Sequence, residues 1–275
     1  MGSKISKARR SASAKTNGFI IPRVPQEIVD EILDHLAADS DPIPLRSCSL
    51  VSRSWAQTCR KHNFYTVVFA SKDTSKWLRA FPVPETGPAH FVRDLHFLAW
   101  GGFETTDKFL DYIPWFTNVE KVYLSGYGRL NPLYSILSLG TLPQSVTSLT
   151  INSDAITVTQ IRDIMAQLPN LNDLSLSGTL LTRGRDTLLG IGTTLRGDFG
   201  GQLRLTKRQA HANVVNMLLE VPTGVHFTEV HILSEYECLY PAVRLSEACG
   251  ENLVRLTYSV GAFGKYHFFS PSSRF

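Results

Sequence analysis

The chain is poor in cysteine, in long apolar runs and in recognisable catalytic motifs, and each shortage removes a class of answer. Its four cysteines, Cys48, Cys59, Cys238 and Cys249, are few and scattered, and none lies in a CxxC pair or a Cys/His cluster. A disulfide framework and a structural zinc site are therefore not expected, and the thiols read as reduced and mostly buried. No apolar stretch approaches the ~20 residues needed to span a bilayer, and no secretory core follows the charged start. The absence of any Asn-X-Ser/Thr acceptor agrees with an intracellular, cytoplasmic or nuclear location. HExxH, GxSxG and GxxxxGK[ST] are missing too, and "GRDTLLGIGTTLRG" has glycines without the lysine of a phosphate cradle. The eight histidines include no pair at ligand spacing on one helix face, and no carboxylate dyad stands out. No catalytic residue, metal or cofactor is assigned, and the chain is read as a non-enzyme.

Basic charge is scarce where nucleic acid would need it. The formal net charge is +4, yet Lys4, Lys7, Arg9, Arg10, Lys15 and Arg23 all lie in residues 1–26, which contain no acid. The rest of the chain holds 22 basic residues against 24 acidic ones, so it offers no phosphate-tracking stripe, and no nucleic-acid partner is expected. Residues 1–20 are rich in Ser and Lys and low in apolar side chains, which predicts a disordered basic tail. The same tail matches M-G-x-x-x-[ST] through Gly2 and Ser6, the pattern of N-myristoylation. A lysine and arginine cluster behind an acylated Gly2 would supply the second signal that stable membrane contact needs; a solvated tail is the other reading of the same residues.

Behind the tail stands "IPRVPQEIVDEILDHL". Pro25 suits a first helical turn, and Glu27, Asp30 and Glu31 follow where the helix dipole favours acids. Ile28, Ile32, Leu33 and Leu36 make one apolar face. After the "ADSDPIP" break, a second amphipathic segment over "LRSCSLVSRSWAQTCRKH" places Leu45, Cys48, Val51 or Ser52, and Trp55 on another face. About forty residues of helix are marginal as a free-standing core, so something must cover them.

These residues carry a resemblance. Val24, Pro25, Glu27, Ile28, Ile32, Leu33 and Leu36, then Leu45, "CSLVSRSW" and "FYTVVF", resemble the F-box proteins abundant in fungi over residues 21–69, with Val24 in place of the usual leucine. The resemblance implies that Val24, Pro25, Ile28, Ile32, Leu33, Leu36, Leu45, Leu50, Val51 and Trp55 dock on a Skp-type linker subunit. It further implies a cullin scaffold as partner, in a cullin-RING ubiquitin ligase of the SCF type.

The remainder repeats. The pattern h-x-x-h-x-h recurs with central positions 67, 95, 122, 149, 174, 203, 230 and 256, and the copy at Gly200/Leu203/Leu205 is degenerate. A period of about 27 residues, with helical spacing in between ("TVTQIRDIMAQLPN", "RQAHANVVNMLLEVP"), is a leucine-rich-repeat signature. The expected class is α/β: a small helical F-box over 21–62, then an irregular leucine-rich-repeat solenoid of parallel strands over 63–275. No asparagine ladder can form beyond the strands, where Trp100, Tyr127, Asp154 and Thr179 stand instead. The stretch 181–206 reads as a distorted repeat or an insertion, and no polar cap follows Tyr258.

In such strands the residues between the apolar ones face outward. They include Asp94, His96, Lys121, Tyr123, Asp173, Arg204, Glu229 and His231. Trp100, Tyr123, Tyr127, Asp173 and His231 are the candidate contacts for an unknown client protein. The leading expectation is a ubiquitin-ligase substrate receptor; the alternative is a lipid-anchored repeat scaffold without that role.

Overall fold

The computed structural model describes residues 24–38, 42–70, 73–99, 107–126, 142–153, 156–178, 199–206, 211–221, 224–234, 240–260 and 264–269. Gly2, Trp100 and Tyr127 lie outside the described residues, as does most of the glycine-rich stretch.

Three helices, where the sequence suggested two, begin the chain: α1 (Gln26–Ala38), α2 (Pro42–Cys48) and α3 (Arg53–Asn63). Pro25 sits one place earlier than expected, at the cap. Its carbonyl accepts from the N–H of Ile28 (3.2 Å) and of Val29 (3.3 Å). The break between α2 and α3 falls at Ser52, whose extended backbone (φ −158°, ψ 166°) cannot continue a helix. Its hydroxyl accepts from the N–H of Trp55 at 3.3 Å, satisfying a free donor of the new helix. Val29, Leu33, Leu45 and Cys59 form the core of this module, with Leu36, Ala37, Cys48 and Trp55 packed around it. Thr58 on α3 donates to Asp30 on α1 at 3.0 Å, tying the two helices beside that core. Burial pushes the Cys59 thiol above its ordinary pKa, with the nearby Cys48 adding to the effect.

A sheet follows, with its strands in sequence order: β1 (Thr66–Phe69), β2 (Asp94–Ala99), β3 (Lys121–Gly126), β4 (Ser148–Ser153), β5 (Asp173–Ser177), β6 (Gln202–Thr206), β7 (Glu229–Ser234), β8 (Arg255–Val260) and β9 (Gly264–Phe269). The first eight run parallel. Parallel neighbours need long crossovers, and described helices lie in five of them: α4 (Asp73–Ala80), α5 (Asp107–Leu110), α6 (Val158–Ala166), α7 (His211–Leu219) and, before β8, α8 (Tyr240–Cys249). Register follows the sequence spacing: Val67, Leu95, Val122, Leu149, Leu174, Leu203, Val230 and Leu256 are successive partners. The last strand departs from the series. β9 returns antiparallel along β8, with Arg255 opposite Phe269, so β8 is not left as an open edge.

A repeated hydrogen bond sets the register at the foot of the strands. The Tyr65 carbonyl accepts from the N–H of both Arg93 and Asp94, and Arg93 accepts likewise from Glu120 and Lys121. Glu120 does the same for Thr147 and Ser148, Thr147 for Asn172 and Asp173, Gly201 for Thr228 and Glu229, and Thr228 for Val254 and Arg255. The step from β5 to β6 is different. There the Asp173 carboxylate accepts from the Gln202 N–H at 2.8 Å, a side chain doing what a carbonyl does elsewhere. Gly201 allows this approach, because a Cβ at that position would overlap Asp173 and Asn172. The copy at β6 is also less degenerate than its sequence suggested. Phe199, one residue earlier than the pattern requires, is fully buried and packs on Phe227 at 6.3 Å between ring centroids.

One continuous core lies behind the sheet, from Val67 to Tyr258. Its N-terminal end is aromatic: Phe69 contacts Trp77 (5.4 Å), Phe97 (5.8 Å) and Phe109 (4.9 Å). Phe64, which ends α3, meets Trp77 edge-on at 6.0 Å and Phe81 at 5.6 Å, so the helical module is bolted to the sheet through rings.

Candidate interaction surfaces

Two surfaces qualify, and the first is the outer side of the helical module. On α1 the 3.6-residue period puts Val29 and Leu33 inward, while Ile28 and Ile32 fall on the neighbouring face and stay 46% and 42% exposed. The helix thus has two apolar stripes where the sequence suggested one, and Val29 was missed as a core residue. Near them in the chain, Val24 and Pro25 are exposed before the helix, and Ile43, Leu50 and Val51 are exposed on α2 and the following turn. Leu50 is the most exposed of them, at 87%. The residues expected to dock therefore divide. Val24, Pro25, Ile28, Ile32, Leu50 and Val51 are open to solvent; Leu33 and Leu45 are buried inside the module; Leu36 and Trp55 are half-buried against its core.

The second surface is the face of the sheet opposite the core. Alternation along each strand puts Val68, His96, Tyr123, Thr150, Ser175, Arg204, His231 and Thr257 in one cross-strand row. The row below it contains Asp94, Lys121, Ser148, Asp173, Gln202, Glu229 and Arg255. His96 Nε2 lies 3.0 Å from Asp94 Oδ1, and its ring is 5.1 Å from that of Tyr123. His231 Nε2 lies 3.4 Å from Glu229 Oε2, and Arg255 Nη1 is 3.4 Å from Glu229 Oε1. Of the expected client contacts, Tyr123, Asp173 and His231 come to this one face, half-buried, and each already has a partner: Asp173 the β6 backbone, His231 Glu229, and the Tyr123 hydroxyl the Asn152 amide at 3.5 Å.

A polar ladder at the base of the sheet escaped sequence reading. Asn118 donates to the His90 carbonyl (2.7 Å), Ser145 to that of Thr117 (3.1 Å) and Asn170 to that of Gln144 (2.7 Å), while Asn252 Nδ2 lies 3.2 Å from His226 Nδ1. In four units a polar residue, Asn118, Ser145, Asn170 or Asn252, stands four residues before the central position, a signal available in their spacing. Among the described residues no cluster of three His, Cys, Asp or Glu could hold a metal ion, and no helix is long and apolar enough to cross a membrane.

Comparison with known proteins bears on the first surface. No curated protein matches the chain. Among solved structures it is similar to one described as "Leiomodin-1 Actin-Binding Site 2 (ABS2)", at 16% identity over 53% of this chain and 70% of that one, with a TM-score of 0.30. The family model of the F-box domain matches residues 21–67, the span that carries α1, α2, α3 and the opening of β1. Those residues are an F-box domain.

Proposed function

We propose that the chain is a substrate receptor of an SCF-type ubiquitin ligase, with the F-box domain docked on a Skp-type linker subunit held by a cullin scaffold. The observation that carries this reading is the division of α1 into two apolar stripes. Val29 and Leu33 fill the module's own core, so Ile28 and Ile32 are not needed there, and an exposed apolar cluster is stable in solution only at the cost of hydrated surface that a partner would cover. An F-box domain implies a Skp-type partner and suggests an adaptor role in ubiquitin ligation. On this reading the sheet holds a client protein, and the chain contributes proximity rather than bond chemistry, raising the effective concentration of an acceptor lysine. Sequential parallel strands, constant register and the repeated foot carbonyl support describing the sheet as an irregular leucine-rich-repeat array.

The test is copurification of the full chain with a Skp-type subunit. Ile28→Asp places a charge on the open stripe and should weaken capture at least tenfold while the circular dichroism spectrum stays that of wild type. A wild-type chain that never captures the subunit ends the receptor reading. The proposed setting is intracellular, cytoplasmic or nuclear, with membrane contact through Gly2 and the basic tail as an added element. Mass spectrometry of the native N-terminus decides that element, and an unmodified Gly2 removes it.

A further inference from the structure

We infer that the open strand face holds an extended, acidic segment of the client, one carboxylate meeting Lys121 on β3 and a second meeting Arg204 on β6. This rests on the receptor reading and names the chemistry its client must present. The two rows described on β2 to β8 are formally balanced, with Asp94, Asp173 and Glu229 against Lys121, Arg204 and Arg255, so long-range attraction is not the reason. The reason is local pairing. Asp94 is satisfied by His96, Asp173 by the Gln202 N–H, and Glu229 by both His231 and Arg255. All three acids are half-buried and engaged. Lys121 and Arg204 are exposed, Lys121 forms no ion pair among the described residues, and the hydrogen-bond partner of Arg204 there is the neutral amide of Gln202 at 3.1 Å. The unspent charge of the face is therefore positive at two points. A guanidinium with a carboxylate makes a stronger hydrogen bond than with an amide, so an incoming acid displaces Gln202 at a gain.

Spacing sets the form of the segment. β3 and β6 are three strand intervals apart, about 14 Å, and Arg204 lies two residues further along its strand than Lys121, so the two points are about 16 Å apart. An extended chain covers that in roughly five residues, so acids four or five positions apart reach both cations. Between the two points, Ser148, Thr150 and Ser175 present small hydroxyls that can bond a peptide backbone without blocking it. Asp173 and Asn152 also lie in this interval, both half-buried; the Asp173 carboxylate is held by the Gln202 N–H and the Asn152 amide by the Tyr123 hydroxyl, so the peptide crosses short, already engaged side chains.

The experiment pans a random dodecapeptide phage library on the immobilised full chain, with capture of a Skp-type subunit by the same preparation scored separately, so that failure of the receptor reading is seen on its own. The expected selection is enriched in Asp and Glu pairs four or five positions apart. A synthetic peptide carrying the commonest selected sequence should bind the Lys121→Glu/Arg204→Glu variant at least tenfold more weakly, and lose affinity as salt rises. Both positions are exposed, so the variant should keep wild-type thermal unfolding. Arg204→Lys should recover part of the binding, because charge remains while the fork is lost. Selection of neutral or basic sequences, no enrichment at all, or equal binding by wild type and the charge-reversed variant overturns the inference.

Discussion

The molecule holds two hydrophobic cores, and they treat apolar residues in opposite ways. The sheet core absorbs nearly every apolar side chain its strands offer and leaves a polar open face. The F-box core consists of four buried residues, yet its module carries six of the fourteen large apolar side chains that are exposed among the described residues. A region that cannot bury its apolar residues internally, but retains them at regular positions, has a surface whose solvent is meant to be another protein. The difference teaches where to look for partners: on the reading proposed above, the module would dock through its excess of apolar surface and the sheet would recognise mainly through polar groups.

Truncation of one central residue in each core should break the comparison most severely. Phe97→Ala removes a fully buried ring that contacts Phe69 and Phe109, at a cost of about 3–5 kcal/mol. Leu33→Ala should cost roughly 2–5 kcal/mol, in a module that has only three other fully buried partners to retain its shape. Urea unfolding followed by hydrogen exchange should show Phe97→Ala lowering protection across the sheet. Leu33→Ala should expose amides of α1 to α3 alone and abolish linker capture. If Leu33→Ala lowers sheet protection equally, the two cores are one cooperative unit and the contrast fails.

The sheet was legible in the sequence to the residue, because its strands repeat and each copy votes on the same register. Eight central positions spaced by hydrophobic pattern became eight successive partners. What the pattern missed were single-residue events that periodicity cannot see. Phe199 serves β6 from one place early, the Asp173 side chain replaces a carbonyl, and β9 turns back on β8. The module was legible as a motif but not as a packing scheme. In so short a helix Ile28, Val29, Ile32 and Leu33 are adjacent pairs, and only the direction of α3 decides which pair is inside. Site residues followed the same rule: parity placed Tyr123, Asp173 and His231 on one face and His231 beside Glu229 of its own strand, while the partner of Asp173 came from the neighbouring strand β6.

Helix caps give a milder form of the same contrast. Ser52 caps α3 in the module, and Thr157 caps α6 behind the sheet through a reciprocal pair with Gln160 (2.9 Å and 3.2 Å). Alanine at either position should cost about 1 kcal/mol. In Ser52→Ala that loss should appear as faster exchange of the first amides of α3 and a weaker grip on the linker. In Thr157→Ala it should be spread over the sheet, with no change in linker capture. Equal effects on capture would show that the docking face depends on the whole chain.

The smallest expected effect lies where the two regions meet, at Asp73, which opens α4 directly after β1. Its carboxylate accepts from Lys76 at 2.7 Å and from the Ala70 N–H at 3.1 Å, while its own N–H donates to the Ala70 carbonyl at 2.9 Å. The Lys76 hydrogen bond is the main cause that holds the Asp73 carboxyl below the usual carboxylate range, against some desolvation. A depressed pKa in the folded state means that folding favours the ionised form. Its contribution is therefore complete above the unfolded value, about 3.9, and is lost as pH falls through the lower folded value. Asp73→Asn keeps the shape but cannot ionise, so its stability should differ from wild type by a constant amount at neutral pH, with the gap closing only in strong acid. Because Asp73 belongs to the junction and not to the docking stripe, linker capture should be unchanged across that range. If the variant instead loses capture at neutral pH, the first turn of α4 is positioning the F-box domain, and the boundary between the two cores lies beyond β1.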